Sequence, residues 1–348
     1  MKIKTRWFVA LLVCGLVLRV IFLLVQSPFS YKSSNMANAT VNVLHDEQAH
    51  WNYVAIVSVD HAMPDIIINK AFTDSQTIAH PDSMYAFLYE NYQPPAYYFL
   101  MSVLAFDNPQ VCRIWNVALS LMGVILLWMA TKNNYVVAFF MLAPAAIQSS
   151  ILISNDVLMF VAACTLSYAM VKQKFWIYAI SVLVAALTKA QGLAIVIALA
   201  SWFVIKGDRK YALATLVAVL FGVIVFINRY GYSTVNTYSL SSLYDLWNIS
   251  LAILAQTLMI AGDQVGYAQD YILPIQLAFM GVGLWLVYGL YRSLEKKWWS
   301  PYTVAAIAVL ATWFAFSLTH IHWPDRLLFP MIPLLAANYK VYEDEFGS

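Results

Sequence analysis

Trp7 to Val25 read WFVALLVCGLVLRVIFLLV, an apolar run broken only by Arg19. About 17–25 such residues cross the roughly 30 Å of hydrocarbon in a bilayer as a helix. Lys2, Lys4 and Arg6 precede the run, as they would in a secretory signal. Its length, the arginine inside it and the lack of a small-x-small cleavage site after it point instead to a retained signal anchor. Runs of this kind recur down the chain. Of its 348 residues, 62% are hydrophobic and 11% are charged, against about 25% charged in an ordinary soluble domain. The composition excludes a soluble protein and a nucleic-acid binder. It predicts an all-α, polytopic transmembrane helical bundle in which residues 1–348 form one transmembrane domain.

Ten spans are expected, at about 7–25, 112–131, 134–151, 156–171, 175–188, 191–206, 211–228, 272–291, 301–319 and 327–340. With the amino terminus in the cytoplasm and each span crossing once, most of the 20 basic residues fall on the inner side. Every inner loop receives at least one, from Lys132 through Lys172, Lys206 and Lys296 to the terminal Lys340, in keeping with the positive-inside rule. Both termini are then cytoplasmic. Most of the 18 acids and all six histidines go to the outer face, so the titratable chemistry is expected there. Cys14, Cys112 and Cys164 lie in or beside apolar runs and form no CxxC pair, which argues against a disulfide framework and a zinc site.

Two outer segments are longer than connectors need. Residues 26–111, the first extracytoplasmic loop, carry short helical patterns at Asp46 to Val59, Ser83 to Glu90 and Pro94 to Phe106. The last opens on two prolines, which suits a first helical turn. It is too short to span and too apolar to float, so it reads as a helix lying in the interface. Residues 229–271 contain Leu246 to Ile260, which either lie flat or cross. A crossing there would move the carboxyl terminus outside and invert the basic pattern of the last loops.

His45 to Trp51 read HDEQAHW. On a helix His50 neighbours both Asp46 and Glu47. A carboxylate there can accept a proton from an incoming hydroxyl, and Asp46 with His50 can hold a divalent ion. The structural alternative makes Asp46 an N-cap and Glu47 a first-turn acid favoured by the helix dipole. Four cations, Arg113, Lys189, Arg229 and Arg326, stand at span edges on the face that should lack them. Either they meet an anionic ligand, phosphate being the obvious one, or they snorkel to lipid headgroups. Asn155 and Asp156 read as a helix N-cap pair. Arg19 is expected to snorkel outward or to pair with an acid inside the bundle.

Six stretches occur in a telling order after the signal anchor: DE-x-x-HW (Asp46 to Trp51), QPPAYYFL (Gln93 to Leu100), RIWNVALSL (Arg113 to Leu121), SND (Ser154 to Asp156), LTKAQGL (Leu187 to Leu193) and DRLLFPMIP (Asp325 to Pro333). Together they resemble the GT-C superfamily of membrane glycosyltransferases, which includes protein O-mannosyltransferases and aminoarabinose lipid A transferases. The likeness is strongest to bacterial members of undefined substrate. It runs along nearly the whole chain, although such enzymes usually carry a larger soluble carboxyl-terminal domain or more spans.

That resemblance implies a transferase in the cytoplasmic membrane of a bacterium, working on its extracytoplasmic face. The donor would be a polyprenyl-phosphate-linked sugar and the acceptor a hydroxyl on a glycan, lipid or protein. Asp46, or Glu47 if the register is shifted, would take the acceptor's proton as it attacks the anomeric carbon, and in-line attack would give inversion. Lys189 and Arg326 would balance the charge on the departing phosphate. Trp51, Tyr92 and Gln93 would line the sugar pocket, with His50, Arg113, Asp156, Gln191 and Asp325 completing the substrate contacts. The sequence specifies no cofactor, and a divalent metal held by Asp46 and His50 is compatible with it. Two rivals share the phosphate-binding cations: a flippase or transporter of a lipid-linked sugar, and a glycan polymerase or ligase using a lipid-diphosphate donor. The flippase should place its cations near the midplane within broken helices.

Overall fold

A computed structural model describes residues 2–25, 41–61, 93–230, 284–319 and 329–346. All regular structure among them is helical. In chain order the helices are α1 (Lys2–Val25), α2 (Val41–Asp60), α3 (Ala96–Leu104), α4 (Pro109–Thr131), α5 (Asn134–Leu142), α6 (Pro144–Ile151), α7 (Asp156–Val171), α8 (Phe175–Ala186), α9 (Ala190–Lys206), α10 (Arg209–Tyr230), α11 (residues 284–295), α12 (Pro301–Thr319) and α13 (Ile332–Phe346), the last entered through a 3-10 turn at Phe329–Met331. Among the described residues, three stretches are long and apolar enough to cross a bilayer: Thr5–Val25, Pro109–Thr131 and Arg209–Asn228. The patterns at Ser83 to Glu90 and Leu246 to Ile260 lie outside the described residues.

Local chemistry fixes the helix ends. The Oδ1 of Asn108 accepts from the backbone N–H of Gln110 and of Val111, with Pro109 at the first helical position of α4. Asn133 caps α5 in the same way through Tyr135 and Val136. Gly207, at φ 72°, closes α9 in the left-handed conformation that glycine adopts without penalty.

Packing centres on α7. It touches α4, α8 and α13, and nearly every one of its side chains is buried. A helix apolar on all sides belongs in the middle of a large core. The helices around it are built the other way out. On α1, Val9, Val13, Val17, Val20 and Ile21 face outward, and α10 turns Leu213, Leu216, Leu220, Ile224 and Ile227 outward. Meanwhile Arg19, Glu47, Arg113 and Asp156 are buried. Large exposed apolar surfaces mark a lipid or protein environment rather than water.

One expected span is not a single helix. Residues 134–151 divide into α5 and α6 at Ala143–Pro144. Pro144 has no N–H to give the carbonyl four residues earlier, that of Phe140, so the helix breaks. Arg19 supplies the missing donors. Its Nη2 donates to Phe140 O at 2.8 Å, its Nη1 to Met141 O and to Gly15 O at 3.0 Å each, and its Nε to Ser150 Oγ at 2.7 Å. Gly15 makes the approach possible, since a Cβ there would collide with Met141. Arg19 is therefore fully buried; it does not snorkel, and it meets no acid among the described residues. A cation at a helix carboxyl end is also favoured by the helix dipole.

Candidate functional site

Five of the six stretches singled out in the sequence meet at one end of the bundle. Helix α2 brings HDEQAHW, α3 and the residues before it bring QPPAYYFL, α4 carries RIWN from its fifth residue, SND leads into α7, and LTKAQ runs from the α8–α9 turn into the start of α9. The backbone N–H of Ala96 donates to Leu187 O at 3.2 Å, tying the first turn of α3 to the end of α8. An apolar layer of Tyr53, Val54, Tyr97, Tyr98, Ile153 and Val157 joins α2, α3 and α7 beneath, with Trp51 half-buried against it.

Two ion pairs sit in this assembly. Glu47 of α2 meets Arg113 of α4 in a two-pronged contact: Nε donates to Oε1 at 2.6 Å and Nη2 to Oε2 at 2.5 Å. Both side chains are fully buried. Oε1 also accepts the backbone N–H of Ile153 at 3.0 Å, in the link between α6 and α7. The fork geometry suits a carboxylate and explains why arginine stands there rather than lysine. The second pair joins Lys189 Nζ to Asp156 Oδ1. Ser154 Oγ donates to Asp156 Oδ2 at 2.9 Å and accepts from the Asp156 backbone N–H at 3.1 Å. Asp156 is the first residue of α7 and Lys189 the extended residue preceding α9. The starts of both helices thus lie side by side, an arrangement that favours negative charge.

Neither cation snorkels. Arg113 is 0% exposed and Lys189 9%. Each already has a carboxylate partner, so its charge is compensated within the protein. The expected N-cap role of Asn155 is also redirected. It occupies the capping position of α7 but makes no capping bond. Its Nδ2 instead donates to Gln93 Oε1 at 3.2 Å and to Thr188 O at 3.3 Å, linking α7, the chain before α3 and the α8–α9 turn. Asn155 is fully buried, and its Oδ1 has no hydrogen-bond partner among the described residues. A buried carbonyl left so is costly unless a donor reaches it.

Aromatic side chains complete the assembly. His50 Nδ1 lies 2.7 Å from Tyr98 Oη, and Tyr98 stacks on Tyr53 with ring centres 3.7 Å apart. Tyr97 Oη and Asn116 exchange bonds near 3 Å, and Asn116 Nδ2 also donates to Leu152 O at 2.6 Å. Burial pushes the Tyr97 phenol well above its ordinary range, so it acts as a neutral hydrogen-bonding group. Gln191 is buried in the first turn of α9.

Of the residues expected from sequence, Glu47, His50, Gln93, Arg113, Asp156, Lys189 and Gln191 belong to this buried polar end, and Trp51 borders it. Asp46 lies on α2 one position before Glu47. Tyr92, Asp325 and Arg326 lie outside the described residues. Among the described residues no group of three or more histidine, cysteine, aspartate or glutamate side chains could hold a metal ion. Sequence reasoning gave no role to Ser154, Asn155 as a linker, Tyr97, Tyr98 or Asn116. Asn116 had a readable signal, since it is i+3 from Arg113 and so shares its helix face. Comparisons with protein-family models, with curated proteins and with solved structures find no match.

Proposed function

We propose that the chain is a multi-pass membrane glycosyltransferase of about ten spans, with both termini cytoplasmic and its polar end extracytoplasmic. It would move a sugar from a polyprenyl-phosphate donor to an acceptor hydroxyl. The observation that carries this reading is the meeting of five sequence-distant polar stretches at one end of a bundle with apolar outer faces. In the proposed step the acceptor oxygen attacks the anomeric carbon while the bond from that carbon to the phosphate oxygen breaks. Polyprenyl phosphate departs with the bonding pair, and the acceptor's proton passes to Asp46. Glu47 is the poorer candidate: both its oxygens are held by Arg113 and Ile153, and its side chain is closed to solvent. Lys189 would shift from Asp156 toward the leaving phosphate, with Arg326 beside it. His50 and Asp46 are the residues that would hold a divalent ion if one takes part.

One observation favours a flippase instead, namely the helix broken at Pro144 with a buried cation at the break. The two readings part on bond cleavage. Purified protein incubated with a panel of radiolabelled polyprenyl-linked sugars should release free polyprenyl phosphate from at least one of them. Asp46→Asn should lower that release by about two to four orders of magnitude, the usual cost of losing a general base. Transport into vesicles with no release from any donor would favour the flippase. Full release by a folded Asp46→Asn variant would remove Asp46 as the base. Glu47→Gln is not a clean control, because it uncovers the buried charge of Arg113.

A further inference from the structure

The opposite end of the bundle holds a cleft of about 600 Å³ between the start of α1, the α4–α5 turn, α11 and α13. That volume lies within the range of small-molecule sites, roughly 300–1,000 Å³. Its lining is of two kinds, apolar and polar. Trp7, Leu11 and Ala138 are apolar members of it, with Trp7 63% exposed; Tyr135, also in the lining, is 74% exposed. Lys132, Asn133 and Lys340 are polar members. Trp7 and Leu11 belong to α1, whose outward face is also apolar. An amphipathic wall of this kind fits an amphipathic occupant, with its tail toward lipid and its head at the turn.

Charge decides what the head must be. Lys340 is offset on its own helix by Asp344 and, at 3.9 Å, by Glu343, which also lines the cleft. Lys132 has no acidic partner among the described residues. Its ammonium lies 3.7 Å from the centre of the Trp128 ring, which fixes its position by cation–π attraction. Trp128 is itself pinned by its Nε1 donating to Asn134 Oδ1 at 3.1 Å. Burial first, and the nearby Lys172 second, hold the Lys132 ammonium below its ordinary value, as expected where positive charge is crowded and unanswered. Asn133 turns its Oδ1 to the first N–H groups of α5, which leaves its Nδ2 to donate. The start of α5 adds the positive end of a helix dipole.

We propose that this cleft binds an anionic phospholipid, with the headgroup phosphate on Lys132 and Asn133 and the acyl chains passing Trp7, Leu11 and Ala138. Basic pockets between helices on the positively charged side of a membrane protein take anionic headgroups for the same reason. The site is independent of the proposed transferase chemistry, which lies at the other end.

The test is lipid add-back to the delipidated full chain in detergent, read by native mass spectrometry with phosphatidylglycerol, phosphatidylcholine or inorganic phosphate. Phosphatidylglycerol should be retained in preference to phosphatidylcholine. Lys132→Gln should weaken its retention about five-fold, the scale of one basic residue at an anionic surface. Lys132→Arg should keep retention, and Lys296→Gln, a substitution outside the cleft, should leave it unchanged. Equal retention of the two lipids, or wild-type retention by Lys132→Gln, would overturn the proposal. Displacement of phosphatidylglycerol by inorganic phosphate would also overturn it, in favour of a free-anion site. Should Lys132→Gln unfold, Trp7→Ala takes its place, with lost phosphatidylglycerol retention expected and wild-type retention counting against the site.

Discussion

Arg19 and Arg113 are both fully buried in the same bundle, yet the surrounding chain satisfies them by opposite means. Arg113 has a counter-ion, the Glu47 carboxylate, which grips it through two bonds. Arg19 has no acid among its described contacts; it is held by three backbone carbonyls and one serine. In the first case two charges cancel. In the second, a charge is set against the negative end of a helix that a proline has cut short. A buried guanidinium can therefore serve as one half of an ion pair or as a patch over broken backbone. The two should respond differently to the same substitution.

The largest expected effect is at Arg113. Arg113→Met leaves Glu47 as a buried, unpaired carboxylate and should cost about 3–5 kcal/mol of stability in denaturant unfolding of the detergent-solubilised protein. Replacing both partners, Glu47→Leu with Arg113→Met, should recover most of that loss, because an apolar pair carries no desolvation penalty. Failure of the double variant to recover would mean that Ile153, whose N–H also uses Glu47, matters more to the fold than the charge balance does.

Much of the helical layout was legible from hydropathy alone. The span expected at 156–171 is α7 residue for residue, because Asp156 and Lys172 bracket an uncharged, largely apolar stretch. The break in 134–151 went unread because both sides of Pro144 are apolar, and an averaged hydropathy does not register a single missing N–H. The proline itself was there to be read. The pairing of Glu47 with Arg113, 66 residues apart, has no periodic signature at all. Sequence placed both residues near the outer face, but only the packing of α2 against α3 and of α3 on α4 brings them together. For Asn155 the sequence gave the position and not the bond. Capping propensity put it at the start of α7, while Gln93 and Thr188, invisible as neighbours in one dimension, took its amide.

At Arg19 the expected loss is smaller. Arg19→Met strands the Phe140 and Met141 carbonyls without exposing a charge, so about 1–3 kcal/mol should be lost. A second substitution sharpens the contrast with Arg113. Pro144→Ala restores a backbone N–H that can reach Phe140 O and join α5 to α6. In the Arg19→Met background it should recover part of the stability, whereas in the Arg113→Met background it should recover none. Equal effects of Pro144→Ala in both backgrounds would break the link between the arginine and the helix end.

The smallest effect separates the backbone part of the Arg19 site from its side-chain part. Ser150 Oγ accepts from Arg19 Nε and itself donates to Ile147 O at 2.7 Å. Ser150→Ala removes that acceptor and leaves all three carbonyl contacts in place. If the carbonyls hold the guanidinium, the loss should be near that of an ordinary hydrogen bond, about 0.5–1.5 kcal/mol. Arg19→Lys should cost more than Ser150→Ala, because an ammonium cannot reproduce a planar fork whose three nitrogens donate to separate acceptors. A Ser150→Ala loss as large as that of Arg19→Met would assign the hold to the serine. Arg19 would then be an ordinary side-chain partner rather than the group that closes the end of α5.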